Sequence, residues 1–222
     1  MRTTGLFAII ALAIAILLVP AVGAANSWES VGETDGVNVF MQQVPGSSMF
    51  AFRGEMVADV HISRIMTVFL DPNERPNWVD RYHSHRTLDR VEKPEENEMW
   101  ELYAIRFSLP PGISDRDYLL RTDLEVDMSG KKVTTRIRSV VDRRYGEQDC
   151  CVRASTQTFY EFTALPNGRT RLIVEVHTDP KGRLPAWLVN RIQRGWPSGT
   201  LSGLVNRAKH SSIQPRPEFR EW

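Results

Sequence analysis

The sequence predicts an α+β domain in which a curved antiparallel sheet wraps around a long C-terminal helix. Two observations support this fold class. Between residues 87 and 177, apolar and polar side chains alternate with a period of two, which is typical of antiparallel strands with one buried face. The segment Leu184–Lys209 instead carries an apolar stripe at helical spacing, and it is the longest helix available to cover that face.

The amino-terminal part of the domain mixes both periods. Residues Ser27–Val31 are expected to form a short amphipathic turn of helix, and strands are predicted at Val37–Met41 and Phe50–Phe52. A helix is predicted over His61–Leu70, because its apolar residues recur at i, i+3, i+4 and i+7 before Pro72 ends it.

Long strands follow and supply most of the sheet. They are predicted at Tyr103–Phe107, Tyr118–Val126, Val133–Val141, Val152–Phe162 and Leu172–Val176. The last strand ends at a D-P-x-G turn, after which the C-terminal helix begins. Because Pro197 cannot donate a backbone hydrogen bond, we expect a kink in this helix near Gly195.

The first 25 residues have the build of a secretory signal peptide. Arg2 precedes an apolar run from Leu6 to Val19, and small residues follow up to Ala25. The run is shorter than the roughly 20 residues of a spanning helix, although an uncleaved anchor is the alternative. We therefore predict a signal peptide at 1–25, a folded domain at 26–212, a C-terminal tail at 213–222, and export to a periplasm or the extracellular space.

Composition and charge limit the classes of function. The chain has 222 residues, 41% of them hydrophobic and 25% charged, and its formal net charge is +1. This balance argues against a nucleic-acid partner, which usually requires a basic surplus. The neighbouring Cys150 and Cys151 are not expected to bond to each other, because a disulfide fits poorly across one peptide unit.

Four stretches, in order, resemble the START family, the steroidogenic-acute-regulatory-protein-related lipid-transfer domains. They are WESVGETDGVNVFMQQVPGSSMFAFRG at 28–54, FLDPNERPNWVDRY at 69–82, SDRDYLLR at 114–121 and DPKGRLPAWLVNRI at 179–192. Each motif alone is modestly specific, but their order is that of the family. The resemblance extends from Trp28 to Lys209.

The resemblance implies a helix-grip fold with an apolar tunnel that holds one lipid or sterol-like molecule between the sheet and the last helix. It also implies a gate formed by Leu184–Lys209 and the loop Leu109–Asp115, no cofactor, and transient contact with membranes. We expect a monomer. The predicted gate residues are Pro110, Pro111, Gly112, Gly195 and Pro197.

Side chains on the dry face of the sheet and on the inward side of the last helix are the predicted lipid contacts. They are Tyr103, Ile105, Phe107, Tyr118, Leu120, Thr122, Ile137, Ser139, Leu172, Val174, Trp187, Leu188 and Ile192. The alternative for each position is that it fills a solid core.

Glu101 shares the alternation of Tyr103 and Ile105, so it is the candidate polar contact of the ligand. Its alternative is a strand end in water or a pair with an arginine. A cavity-based enzyme of the same broad superfamily, cyclase-like or aromatase-like, would use Glu101 or Tyr103 as its acid or base. No catalytic motif occurs in the sequence. His83 and His85 lack a third ligand at a recognised spacing, so no metal site is predicted.

Overall fold

The computed structural model describes residues 27–93 and 98–222, so the predicted signal peptide lies outside the described part. The strands are β1 (Glu29–Thr34), β2 (Val37–Gln43), β3 (Phe50–Ala58), β4 (Tyr82–Lys93), β5 (Glu98–Phe107), β6 (Arg116–Asp127), β7 (Lys132–Ser139), β8 (Val152–Arg153), β9 (Ser155–Leu165) and β10 (Arg169–Asp179). The helices are α1 (Ile62–Leu70), α2 (Ala186–Arg194) and α3 (Trp196–Lys209), and short 3-10 helices occur at Pro72–Asn77, Pro166–Gly168 and Pro217–Phe219.

In the described part of the chain, the strands form one sheet in the order β1-β2-β3-β10-β9-β7-β6-β5-β4. Neighbours along this path are antiparallel, whereas the short β8 pairs with β6 in parallel at Arg116 and Asp117. The large antiparallel sheet with its C-terminal helix confirms the predicted fold class. The expected kink is also present, since Gly195 separates α2 from α3.

The prediction for residues 27–31 is wrong. This segment begins the edge strand β1, in which Glu29 pairs with Met41 and Thr34 pairs with Val37. The five residues Ser27–Val31 have a local pattern compatible with a helical turn, but hydrogen bonds to β2 decide their conformation. Pairing with a strand several residues away leaves little trace in so short a segment.

The helices cover only one half of the sheet. The main contacts of α3 are with α1, β2, β3 and β10, and α1 also contacts β9. The principal core lies there, with Ile65, Phe162 and Leu204 fully buried. Among the described residues, the inner faces of β4, β5, β6 and β7 have no comparable contact with α1, α2 or α3, and this half of the sheet is where space remains.

Two glycines bring α3 close to its neighbours. A Cβ added at Gly54 would lie 2.8 Å from the Cβ of Pro197, and a Cβ added at Gly203 would lie 2.6 Å from the carbonyl oxygen of Trp78. Side chains at either position would push α3 away from β3 or from the 3-10 segment. These contacts fix α3, while α2 before the kink has a separate orientation.

The predicted C-terminal tail, 213–222, packs against α1. Ile213 and Phe219 are buried, and the backbone N–H of Arg216 donates to the carbonyl of Ser63 at 3.1 Å. The guanidinium of Arg64 donates to the carbonyls of residues 208, 210 and 213 at 2.7–2.8 Å. These residues therefore belong to the folded unit.

The expectation for the adjacent cysteines is wrong. Cys150 and Cys151 form a disulfide with each other, with their Cα atoms 3.8 Å apart. The chain turns here, and the N–H of Cys151 donates to the carbonyl of Gln148 at 3.3 Å. The turn allows the two thiols to meet across one peptide unit. The bond joins no distant segments, so burial still stabilises the fold.

Among residues 27–93 and 98–222, no helix has the length and apolar character needed to cross a membrane.

Candidate functional site

A cavity of about 190 Å³ lies under α2, against the half of the sheet that α1 and α3 leave free. Its sheet wall is formed mainly by alternate residues of β5 and β6, with contributions from β4, β7, β9 and β10. Residues from these strands that border it are Arg90, Val91, Glu92, Met99, Trp100, Glu101, Tyr103, Ile105, Phe107, Arg116, Tyr118, Leu120, Thr122, Leu124, Ile137, Thr156, Thr158, Tyr160, Val176 and Thr178. The opposite wall is formed by Leu184, Val189, Ile192, Gln193 and Trp196, and Phe69, Arg75 and Trp78 lie at its side.

The D-P-x-x-R-x-x-W motif places a charge in this cavity. Asp71 ends α1 and caps the 3-10 helix, accepting a hydrogen bond from the N–H of Asn73 at 2.9 Å, and Pro72 occupies the first turn. The resulting turn directs Arg75 inward and buries Trp78. A second contact anchors the motif, because Arg207 of α3 donates two hydrogen bonds to Glu74.

Arg75 forms a buried ion pair with Glu101. The side chains bond through both carboxylate oxygens, and Arg75 Nη1 lies 3.1 Å from Glu101 Oε1. Thr87 donates to the same oxygen at 2.7 Å, and the guanidinium lies 4.1 Å from the centre of the Tyr103 ring. Burial alone would lower the pKa of Arg75, but Tyr103 and Glu101 act in the opposite direction and the pKa is raised.

The tyrosines of the wall are protonated over the usual pH range. Burial raises the pKa of Tyr103, although Arg75 and a hydrogen bond from the Thr122 side chain partly oppose it. Burial also raises the pKa of Tyr118 and Tyr160 well above the ordinary value of 10.0. The wall thus offers neutral phenols beside the compensated Arg75–Glu101 pair.

A second polar cluster borders the same cavity at a distance from this pair, on β9, β10 and α2. The hydroxyl oxygen of Thr156 is 2.8 Å from that of Thr178 and 3.3 Å from that of Thr158. Gln193 donates from Nε2 to the carbonyl of Thr178 at 3.0 Å. Gln193 Oε1 and Trp78 Nε1 are buried in the wall without a hydrogen-bond partner among the described residues.

One end of the cavity is bounded by the β5–β6 and β10–α2 loops, represented by Leu109, Pro180 and Leu184. Arg116 joins the two loops: its guanidinium donates to the carbonyls of Ser114, of Pro180 at 2.6 Å and of residue 181 at 3.2 Å. Burial lowers the pKa of Arg116 from its ordinary value. The loops are therefore held together by a cation that itself lines the cavity.

The structure brings many of the predicted contacts together. Glu101 borders the cavity, and so do Tyr103, Ile105, Phe107, Tyr118, Leu120, Thr122, Ile137 and Ile192. Glu101 is buried in the wall rather than at a wet strand end, and it pairs with an arginine as the alternative proposed.

Other predicted contacts lie elsewhere in the sheet. Leu172 and Val174 belong to the solid core under the helices, while Val176 and Thr178 of the same strand face the cavity. Alternation identifies the face of a strand correctly, but it does not say where along the strand the helices end. Ser139 does not border the cavity and accepts a hydrogen bond from the N–H of Thr156 at 2.9 Å.

The phase of the C-terminal helix also differs from the prediction. Trp187 is 66% exposed, and Leu188 is half-buried outside the cavity. The inward residues are Val189, Ile192, Gln193 and Trp196, spaced i, i+3, i+4 and i+7. The prediction continued the stripe of α3 through Gly195, but the kink rotates α2 relative to α3.

The predicted gate residues lie in different parts of the structure. Pro110, Pro111 and Gly112 are exposed in the β5–β6 loop next to Leu109, which lines the cavity. Gly195 lies at the kink and does not border the cavity. Pro197 is buried against Gly54, so it belongs to the fixed packing of α3.

Sequence reasoning missed Arg75, Arg116 and Gln193. The first two stand at fixed places in the motifs that carry the family resemblance, and a charged residue inside an otherwise apolar motif is a usable signal. The threonines at 156 and 158 share the alternation of the buried aromatic residues Tyr160 and Phe162 on β9, which also indicates a polar group on the dry face.

No group of three or more His, Cys, Asp or Glu side chains that could hold a metal ion occurs within 27–93 and 98–222. His83 is exposed beside Ser84, and the Nδ1 atom of His85 is 2.9 Å from the hydroxyl of Tyr82. Burial and the nearby Arg75 lower the pKa of His85. The histidine pair thus has no ligand geometry in the described structure.

Several known proteins are similar to this chain in sequence or in fold. The chain is similar to an uncharacterised protein of Pseudomonas aeruginosa (26% identity over 208 residues, 92% of this chain and 98% of that protein). It is also similar to the mouse phosphatidylcholine transfer protein (24% over 197 residues, 86% and 87%). A crystal structure of residues 25–204 of a STAR-related lipid transfer protein from Xanthomonas axonopodis has a TM-score of 0.73 at 22% identity, covering 82% of this chain and 99% of that chain.

The family comparison covers most of the chain. The model of the START domain matches residues 13–208, beginning inside the predicted signal peptide and ending one residue before α3 does. The four motifs, the sheet order and the kinked closing helix all lie within this match. The chain therefore belongs to the START domain family.

Proposed function

We propose that the protein binds one lipid or sterol-like molecule in the cavity under α2 and transfers it between membranes. The observation that carries this proposal is the apolar cavity along β5 and β6, in the half of the sheet that α1 and α3 leave free. Two relatives whose names describe lipid transfer support it. The proposal includes a monomer, a signal peptide at 1–25 and export.

The energetics suit a carrier. Burial of roughly 400 Å² of apolar ligand surface is worth about 10 kcal/mol relative to water. Relative to a bilayer the gain is small, because the chains of a membrane lipid are already out of water. A cavity of this kind can therefore load and release its ligand while removing the cost of crossing the aqueous phase.

Loading requires movement at the mouth. The cavity of about 190 Å³ is smaller than the roughly 300–1,000 Å³ that holds a drug-sized ligand, so a lipid with two chains needs the lid to open. We propose that α2 and the loop Leu109–Asp115 form this lid. Glycines occupy positions 112 and 182 of the two loops, where φ is +88° and +74°. Glycine has a backbone freedom at such positions that other residues lack.

The outer surface of α2 is suited to brief contact with a membrane. Trp187 is exposed there, and aromatic rings of this kind favour the interface between headgroups and chains. Arg183 and Arg191 are exposed on the same segment, and residues 180–195 include no acidic residue. A membrane that binds this surface would contact the lid directly.

A binding function is favoured over catalysis at Glu101. Both of its oxygens accept hydrogen bonds from Arg75, and Thr87 occupies one of them as well. An acid or base would need an oxygen free to reach a substrate proton. We therefore propose that the pair orients the polar part of a ligand through the guanidinium N–H groups of Arg75 that do not contact Glu101.

The proposal is tested by transfer of a fluorescent phospholipid between donor and acceptor vesicles. Wild-type protein should accelerate transfer in proportion to its concentration. Thr158→Trp, which fills the cavity, should abolish the acceleration, whereas Val57→Trp, which adds the same side chain at an exposed position, should retain it. Equal transfer by both variants would contradict a role for the cavity.

A further inference from the structure

The amide of Gln193, a residue that lines the cavity, has an acceptor without a partner among the described residues. Its orientation is fixed, because Nε2 donates to the carbonyl of Thr178 at 3.0 Å and only the nitrogen can do so. Oε1 is then the buried oxygen that has no partner among the described residues. Gln193 lines the cavity, so a ligand beside this side chain is the candidate partner for the oxygen that the protein leaves unpaired.

Three threonines line the cavity together with Gln193, whose amide contacts the backbone of one of them, Thr178. Thr156 is central: its oxygen lies 2.8 Å from the oxygen of Thr178, 3.3 Å from that of Thr158 and 3.3 Å from the carbonyl of His177. If Thr156 donates to Thr178, the proton of Thr178 becomes free to donate elsewhere. The cluster can therefore accept a hydrogen bond at Gln193 and donate one from a threonine.

A hydroxyl group meets both requirements, whereas an ester carbonyl or an ether oxygen can only accept. A buried acceptor without a partner costs about 1–3 kcal/mol, and a ligand that donates to it recovers this cost. We propose that the cluster of Thr156, Thr158, Thr178 and Gln193 recognises the hydroxyl of a hydroxyl-bearing lipid. This inference rests on the proposed function and deepens it by naming the chemical class of the ligand.

The cluster is distinct from the Arg75–Glu101 pair. The strand register runs from Glu101 through Thr122 and Ile137 to Thr158, which is three strand spacings. At about 4.8 Å per spacing the two polar sites are about 14 Å apart along the sheet. One hydroxyl cannot contact both, so substitutions at the two sites have separable effects.

The test compares two probes, tetradecan-1-ol and its methyl ether, by titration against the full chain. They share the hydrocarbon chain and an oxygen acceptor, but only the alcohol donates. Wild-type protein should bind the alcohol about tenfold more tightly, which corresponds to one hydrogen bond worth about 1.4 kcal/mol. Gln193→Leu should reduce the affinity for the alcohol to that for the ether and leave the ether unchanged.

Thr200→Val is the matched control. Thr200 Oγ1 is also buried without a partner among the described residues, but it lies in α3 and outside the cavity wall. This variant should retain the tenfold preference. Thr178→Val is the second variant if Gln193→Leu does not fold, and it should reduce the preference at least threefold.

The outcomes separate the two proposals. Equal binding of alcohol and ether by wild-type protein, or a preference that survives in Gln193→Leu or Thr178→Val, would overturn the hydroxyl site while leaving lipid binding intact. Binding of neither probe, together with failure of phospholipid transfer between vesicles, would overturn the proposed function.

Discussion

Substitution of Glu101 by Gln tests whether the Arg75–Glu101 pair lies in a dry wall. Arg75 is 8% exposed and Glu101 is 6% exposed, so loss of the carboxylate charge leaves a buried guanidinium without its counter-ion. Removal of one partner of a buried pair costs about 3–5 kcal/mol, which is a large share of the 5–15 kcal/mol that stabilises a typical domain. We expect Glu101→Gln to fall near 3 kcal/mol, because the amide still accepts one hydrogen bond.

The assay is equilibrium urea unfolding at neutral pH, with the free energy of unfolding extrapolated to water. The exposed pair Arg136–Glu125, with side chains 60% and 66% accessible, provides the control: Glu125→Gln should cost less than about 1 kcal/mol. The double variant Arg75→Met with Glu101→Leu removes both charges, and it should be more stable than Glu101→Gln.

Two results would refute this reasoning. A loss below about 1 kcal/mol in Glu101→Gln would show that water in the cavity solvates Arg75. A double variant less stable than the single one would show that the unpaired guanidinium of Arg75 is not the source of the loss.

Three further predictions follow from the structure. Gly203→Ala should lower the free energy of unfolding by about 1–3 kcal/mol, measured in urea, because its Cβ would lie 2.6 Å from the Trp78 carbonyl; a more stable variant would contradict this close contact. Burial raises the pKa of Tyr118 and Tyr160, so the folded state favours their neutral form. Above pH 10, each of these two residues should therefore lower the free energy of unfolding by about 1.4 kcal/mol per pH unit. Their ionisation, followed by absorbance near 295 nm, should coincide with loss of circular dichroism. Complete tyrosine ionisation of a folded protein at pH 11 would be inconsistent with this. Trp187→Ala should weaken sedimentation with anionic vesicles at least threefold without changing stability, and unchanged binding would exclude α2 as the contact surface.

Much of the fold was accessible from the sequence, because its elements are long and regular. Alternation over Tyr118–Val126 and helical spacing over Ile62–Phe69 each indicate a buried face, although Leu119 on the opposite face of the strand is buried as well. Pro197 correctly indicated the break before α3. The edge strand β1 was not predictable in the same way, since its conformation depends on pairing with β2.

The candidate site was accessible only in part. Parity along β5 identified Tyr103, Ile105 and Phe107, which border the cavity. The same reasoning placed Leu172 and Val174 on the correct face of β10 but not in the solid core, because the boundary between core and cavity is set by where α1 and α3 end. Such a boundary is a tertiary property, and no local pattern on β10 records it.

Polar residues of the cavity were hardest to foresee. Arginine is usually a surface residue, and the burial of Arg75 and Arg116 depends on partners in other segments. Arg75 pairs with Glu101, and Arg116 donates to the carbonyls of two loops. The acceptor on Gln193 became visible only when its amide partner was known.

Native mass spectrometry of the protein after incubation with phospholipid vesicles tests the central claim most directly. The account predicts a one-to-one adduct with a single lipid for the wild type and for Val57→Trp, and no adduct for Thr158→Trp, whose indole fills the cavity. Wild-type protein that stays at the mass of the bare chain, or an adduct that persists in Thr158→Trp, would contradict it.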